Sequence, residues 1–251
     1  MTALRDLHVH TNFCDGKNTP EEMVLSAIGK GLECLGLCAH AFVPFDSGYC
    51  MSPDKYEDFR SEISRLKKKY SGQIRLLCGI EQDIYSPLGT GSFDYVIGSV
   101  HYLKAGSEYI PVDAEPQILR DGCEKCFSGD YSAMAVQYYE ALAQVVSITH
   151  CDIIAHFDLL TKFNETDSFF DESDPRYIRA YKAAADHLIP YGKPFEINTG
   201  AISRGYRTTP YPARPILDYI KAGGGNLILS SDAHSKESIA YQFEEFLPLC
   251  S

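Results

Sequence analysis

Positive charge is scarce in this chain. Its 251 residues carry 23 lysines and arginines against 34 aspartates and glutamates, a formal net charge of −11. Broad nucleic-acid binding draws on Lys and Arg against phosphate, so this balance speaks against a polymeric nucleic-acid partner. No run of 18 or more apolar residues occurs, so no membrane span is expected. No apolar N-terminal stretch resembles a secretory signal, since Arg5, Asp6 and His8 interrupt it at once. The nine cysteines (14, 34, 38, 50, 78, 123, 126, 151 and 250) are odd in number and irregular in spacing. They form no disulfide framework, and a cytoplasmic protein with reduced thiols is expected. A structural zinc at Cys123-Glu-Lys-Cys126 would need a second pair or suitably spaced histidines, and neither follows. There is no Cys-x5-Arg phosphatase loop and no repeat of fixed period.

What is present is ordinary globular composition, 45% apolar and 23% charged. Strand and helix signals alternate along it. Strands are predicted at 4–10, 34–39, 74–80, 94–99, 152–155, 194–198 and 226–230. Helices are predicted from Thr19-Pro20-Glu21-Glu22 to Gly31, from Ser52-Pro53 to about Tyr70, and at 131–147, 174–189, 213–222 and 236–246. Thr19 reads as an N-cap, Pro20 as the first helical residue, and Glu22 as the return half of a capping box. Seven strands separated by helices argue for a parallel sheet. No linker divides the chain, so one barrel domain over 1–251 is expected. Residues 89–92 read as a short turn, and residues 102–130, the least patterned, as an insertion or lid.

The informative side chains fall where predicted strands finish. His8-Val9-His10 ends the first, His40 the second, Glu81 the third, His101 the fourth, His156 the fifth, Glu196 the sixth and Asp232-Ala233-His234 the seventh. In a barrel those ends share one face, so their side chains converge. Imidazole nitrogens and carboxylate oxygens suit zinc, manganese and iron. In His-x-His at the end of a strand both rings project to the same side of the pleat and can reach one ion. Asp15 follows in a short loop, near enough to join. A lone histidine is usually a surface or hydrogen-bonded residue, and His150 and His187 are read so. Six at strand ends point to a metal site.

The motifs His8-Val-His10-Thr11…Asp15-Gly16, His40, Gly79-Ile-Glu81, Gly98-Ser-Val-His101, His156-Phe-Asp158 and Ser231-Asp232-Ala-His234 resemble those of the polymerase and histidinol phosphatase (PHP) superfamily. Within it, the likeness is to the histidinol-phosphate phosphatases, carried by Asp15, Gly98-Ser-Val-His101-Tyr-Leu, His156-Phe-Asp-Leu-Leu-Thr-Lys162-Phe, and Glu196-Ile-Asn-Thr199 followed by Arg204. The resemblance implies a distorted (β/α)7 barrel with three divalent ions at the C-terminal strand ends. His8, His10, Glu81 and Asp232 would hold the first, and Glu81, His101 and His156 the second, with Glu81 bridging. Asp15, His40 and His234 would hold the third. An aspartate at position 15 is a harder ligand than histidine, so that site is expected to prefer manganese or iron over zinc.

The implied reaction is hydrolysis of a small phosphate monoester, L-histidinol phosphate, by a metal-activated hydroxide. Lys162 and Arg204 are the candidates for phosphate contact, with Arg207 in the same loop as Arg204. Glu196 would orient a ligand or contact the substrate amine, and Asn198 lies two residues on in the same motif. A bound water, Asp232 or His234 could protonate the leaving group. A phosphotyrosine-protein phosphatase and a nuclease of the same superfamily are the alternatives. The charge balance weighs against the nuclease, and a lid weighs against a protein substrate.

Overall fold

The computed structural model describes residues 4–87, 89 and 92–250. The turn expected at 89–92 lies partly outside them. Nine strands are present among the described residues: β1 (Arg5–Val9), β2 (Cys34–Leu37), β3 (Arg75–Asp83), β4 (Tyr95–Ser99), β5 (Tyr102–Ala105), β6 (Glu108–Pro111), β7 (Ile153–Ile154), β8 (Phe195–Asn198) and β9 (Leu227–Ser230). Seven form one sheet in the order β1-β2-β3-β4-β7-β8-β9, and every pairing in it is parallel. The ends meet: Val9 bridges Ala233, and His10 N–H donates to the Ala233 carbonyl at 2.8 Å. The sheet is thus a nearly closed barrel with helices outside, the class expected from the alternating signals.

Local chemistry accounts for the elements. Thr19 caps the helix Pro20–Gly29, and both halves of the Thr19–Glu22 capping box form. Gly31, at φ 75°, supplies the left-handed residue just beyond it. The run predicted as one helix at 131–147 is two, Tyr131–Leu142 and Val145–Thr149. The helix predicted at 236–246 is reduced to Phe243–Phe246. Its carbonyls are claimed elsewhere: Lys30 Nζ donates to Glu237 O and Ile239 O, and Ser26 Oγ to Lys236 O. Ala240 and Gln242 turn left-handed, which breaks a helix. Residues 102–127 are patterned after all. They form the antiparallel hairpin β5–β6 and a helix, Pro116–Phe127, that buries Leu119 and Cys123. Cys123 is therefore a core residue, and no metal-ligating group among the described residues includes it or Cys126. No disulfide is formed, and no helix of the described residues is long and apolar enough to cross a membrane.

Two apolar layers alternate along the strands. Leu35, Leu37, Leu76, Ile80 and Val96 face the helices in the main core. The out-of-phase residues Leu7, Cys38, Tyr95, Ile97, Ile153 and Ile228 fill the barrel. Tyr95 is the largest of these, and its hydroxyl donates to the Leu7 carbonyl at 2.6 Å. It lies over Gly36 and Gly79, where any Cβ would run into its ring. Glycine is needed there for close approach, not for a special backbone angle. Gly79→Ala should destabilise the protein by about 1–3 kcal/mol through overpacking. That lowers Tm by roughly 2–4 °C per kcal/mol in a domain of this size, read by thermal unfolding. An unchanged Tm would show that the barrel interior has slack.

Candidate metal centre

Strand β3 runs nine residues, longer than the other strands of the barrel, and carries Glu81 to the C-terminal rim. Its backbone is held on one side by Glu81 N–H to Ala39 O at 2.9 Å and Ala41 N–H to Glu81 O at 2.8 Å. The carboxylate is fully enclosed by imidazoles. Oε2 lies 3.2 Å from His8 Nε2, 3.3 Å from His10 Nε2 and 2.9 Å from His40 Nδ1. Oε1 lies 3.1 Å from His156 Nε2 and 3.3 Å from His101 Nε2. Burial alone would raise the Glu81 pKa, but His40, His8 and His101 hold it well below the usual carboxylate range.

Despite three nitrogens at contact distance, Glu81 Oε2 accepts no well-directed hydrogen bond. A buried oxygen ringed by donors that do not point at it fits a shared cation rather than a hydrogen-bond network. The spacing agrees. His8 Nε2 and His10 Nε2 are 3.0 Å apart, and each lies 3.4–3.6 Å from Asp232 Oδ1. Four donors bonded tetrahedrally at about 2.0–2.1 Å would sit about 3.3 Å from one another. Asp232 reaches in from φ 48°, a left-handed backbone that aspartate tolerates.

A second group lies nearer solvent. Asp15 Oδ1 is 3.6 Å from His40 Nε2, and Asp15 Oδ2 is 3.3 Å from His234 Nε2. One donor atom each of His10, Asp15, His40 and His234 lies within 4.8 Å of the others. His40 thus stands between the two groups, with a nitrogen toward each.

Most of these rings are anchored through their other nitrogen. His8 Nδ1 meets Glu196 Oε1 at 2.7 Å and His10 Nδ1 the Cys14 thiol at 3.5 Å, while His234 Nδ1 lies 2.8 Å from Arg204 Nη1 and 2.9 Å from the Asp232 carbonyl. His101 Nδ1 lies 3.3 Å from Ser99 Oγ and 3.4 Å from Asp83 Oδ2, and Asp83 also accepts the His101 N–H. An outer partner that fixes ring orientation and tautomer is the pattern of metal-ligating histidine. Cys14, Cys38 and Asp83 were not read from the sequence. Cys38 Sγ lies within 4.8 Å of His8 and His10 donor atoms, but burial pushes its thiol well up, against thiolate ligation. Asp83 had a signal, since it follows Glu81 by two on one strand and so shares its face.

Above the rings opens a cavity of about 490 Å³. Asp15, His40, His101, His156, Asp232 and His234 form its floor, and Lys162 and Arg204 its cationic side. Arg204 Nη2 lies 3.1 Å from Asp232 Oδ2, and Nη1 3.0 Å from the Asp232 carbonyl. Three sequence candidates for substrate contact are elsewhere. Arg207 is buried against Asp158, Thr161 and Glu165, where it ties two loops together. Asn198 is fully buried, donating to Glu196 Oε2 and accepting the Gly200 N–H. Glu196 Oε1 lies 2.7 Å from His8 Nδ1 and its Oε2 accepts the His156 N–H, and it is not among the residues that line the cavity. His150 and His187 are exposed, away from the centre.

Residues 6–200 match the family model described as the PHP domain. The chain belongs to the PHP domain family. Among relatives of this PHP chain, the "Probable histidinol-phosphatase" of Deinococcus radiodurans is 28% identical, covering 98% of this chain and 92% of that protein. The histidinol-phosphatase of Bacillus subtilis is 27% identical, covering 98% and 99%. A crystal structure of histidinol phosphate phosphatase from Lactococcus lactis, complexed with zinc, L-histidinol and phosphate, superimposes with a TM-score of 0.71 at 21% identity, covering 99% of this chain and 92% of that one. That likeness carries the PHP barrel.

The orienting role of Glu196 is open to direct test. Glu196→Gln should keep the fold and weaken metal affinity about 10–100-fold, measured by competition with a chromophoric chelator. Unchanged affinity would mean that His8 needs no charged partner.

Proposed function

We propose that this chain is a metal-dependent phosphomonoesterase that hydrolyses L-histidinol phosphate to L-histidinol and phosphate. The observation that carries the reading is the Glu81 carboxylate, each of whose oxygens faces two or more imidazoles beneath an open cavity with a cationic wall. The names of full-length relatives supply the substrate. His8, His10, Glu81 and Asp232 would hold one divalent ion, Glu81, His101 and His156 a second, and Asp15, His40 and His234 a third. Zinc, manganese and iron suit these donors, and the Asp15 carboxylate favours the harder ions in the third position. Such ions supply Lewis acidity, which activates water and neutralises phosphoryl charge.

The chain's own residues position the reactants. Glu81 ties two ligand groups to one backbone point. Arg204 and Lys162, on one side of the cavity, are placed to take phosphoryl oxygens where charge spreads in the transition state. Arg204 is already oriented by Asp232. Tyr102, Pro111, Asp113 and Ala114 bring the β5–β6 segment to the cavity wall, where it would serve as a lid. A pocket of this volume suits a small molecule.

The test compares kcat/KM for L-histidinol phosphate, p-nitrophenyl phosphate, a phosphotyrosine peptide and short single-stranded DNA on metal-loaded enzyme. L-Histidinol phosphate should be clearly the best. A better peptide or DNA substrate overturns the reading.

A further inference from the structure

The cavity is lined by charges of both signs. Lys17, Lys162 and Arg204 line it with the ligand groups. Asp46 lines it together with Tyr49 and Tyr102. Its carboxylate is fixed, since the Tyr102 hydroxyl donates to Oδ2 at 2.8 Å. Another carboxylate of the lining, Asp113, is already answered: Lys162 Nζ donates to its carbonyl at 2.6 Å and lies 3.4 Å from its Oδ2. Asp46 has no Lys, Arg or His partner among the described residues, although it borders a pocket. An anion without a counter-charge, aimed at a site for small ligands, selects for a cation.

The path from the floor to Asp46 is aromatic. The Tyr49 ring sits edge-on to His40 at 4.8 Å and to His101 at 6.1 Å between centroids, and 6.3 Å from Tyr102. Phe45 packs against the outer side of Tyr102 at 4.9 Å. A leaving group bound here would lie along tyrosine rings, which favour cations and flat heterocycles. It would end at a carboxylate one side chain beyond the ligand rings.

We infer that Asp46, held by Tyr102, is a specificity-determining residue that receives the ammonium group of the leaving alcohol while the phosphate lies toward Arg204 and Lys162. This rests on the phosphomonoesterase reading above and adds which residue of the cavity recognises the amine. The enzyme would then discriminate against phosphate esters that lack a cationic group, by binding rather than by chemistry.

The experiment measures kcat/KM for L-histidinol phosphate and for its amine-free analogue, 3-(imidazol-4-yl)propyl phosphate. It uses metal-loaded wild type, Asp46→Asn and Tyr102→Phe, with folding checked by Tm. Asparagine keeps an acceptor for Tyr102 and removes only the charge. Wild type should prefer the amine-bearing ester, and Asp46→Asn should cut that preference about tenfold, mostly through KM. Tyr102→Phe should cut it in the same direction by less. A preference unchanged in both folded variants, or absent from wild type, overturns the inference even when both esters are hydrolysed. Wild type that hydrolyses p-nitrophenyl phosphate but neither imidazole ester overturns the functional reading itself, and the inference with it.

Discussion

The structure is organised around one buried carboxylate. Glu81 is almost fully excluded from solvent, and five imidazoles lie within 3.3 Å of its two oxygens. An isolated ion in such a place is costly unless charges of the opposite sign stand beside it. Divalent ions shared between its oxygens and the rings would supply them. The rest of the fold serves that arrangement. Strand β3 extends to the rim to deliver Glu81, the barrel closes through Val9 and Ala233 to bring Asp232 beside His8 and His10, and Glu196 rises from β8 to hold His8.

The convergence of these side chains was legible because all but Asp15 lie at or just past a strand end, and strand ends of a parallel barrel converge whatever their separation in sequence. His8 and Asp232 lie 224 positions apart and come within 3.6 Å. The alternation of strand and helix signals also placed the strands, and capping signals the Pro20–Gly29 helix. What escaped depends on tertiary contacts. The helix expected at 236–246 fails because Ser26, in the Pro20–Gly29 helix, and Lys30, just past its end, take its carbonyls from more than 200 positions away. Arg207 and Arg204 share one loop, and no local feature tells which turns inward. Asp158 draws Arg207 into the protein, while Asp232 draws Arg204 to the cavity. Cys14 was invisible as a partner of His10 because a thiol seldom fills a place usually taken by a carboxylate or carbonyl.

Charge is distributed to match. The chain is strongly acidic overall, yet its cavity carries Lys162 and Arg204 above a floor built to concentrate divalent cations. Three ions would outweigh the charge of Asp15, Glu81 and Asp232 and leave the pocket positive for a phosphate dianion. Asp46 adds a negative charge to the lining of the same cavity. Net charge bears on association with polymers, whereas the local field decides which small ester is held.

The proposed role of Glu81, joining two metal positions, is open to a direct test. The measurement is the number of ions per chain in well-loaded wild type and in Glu81→Gln, by native mass spectrometry with elemental analysis. Wild type should hold two or more ions and the folded variant fewer. Fewer than two in wild type, or an unchanged number in Glu81→Gln, would contradict it.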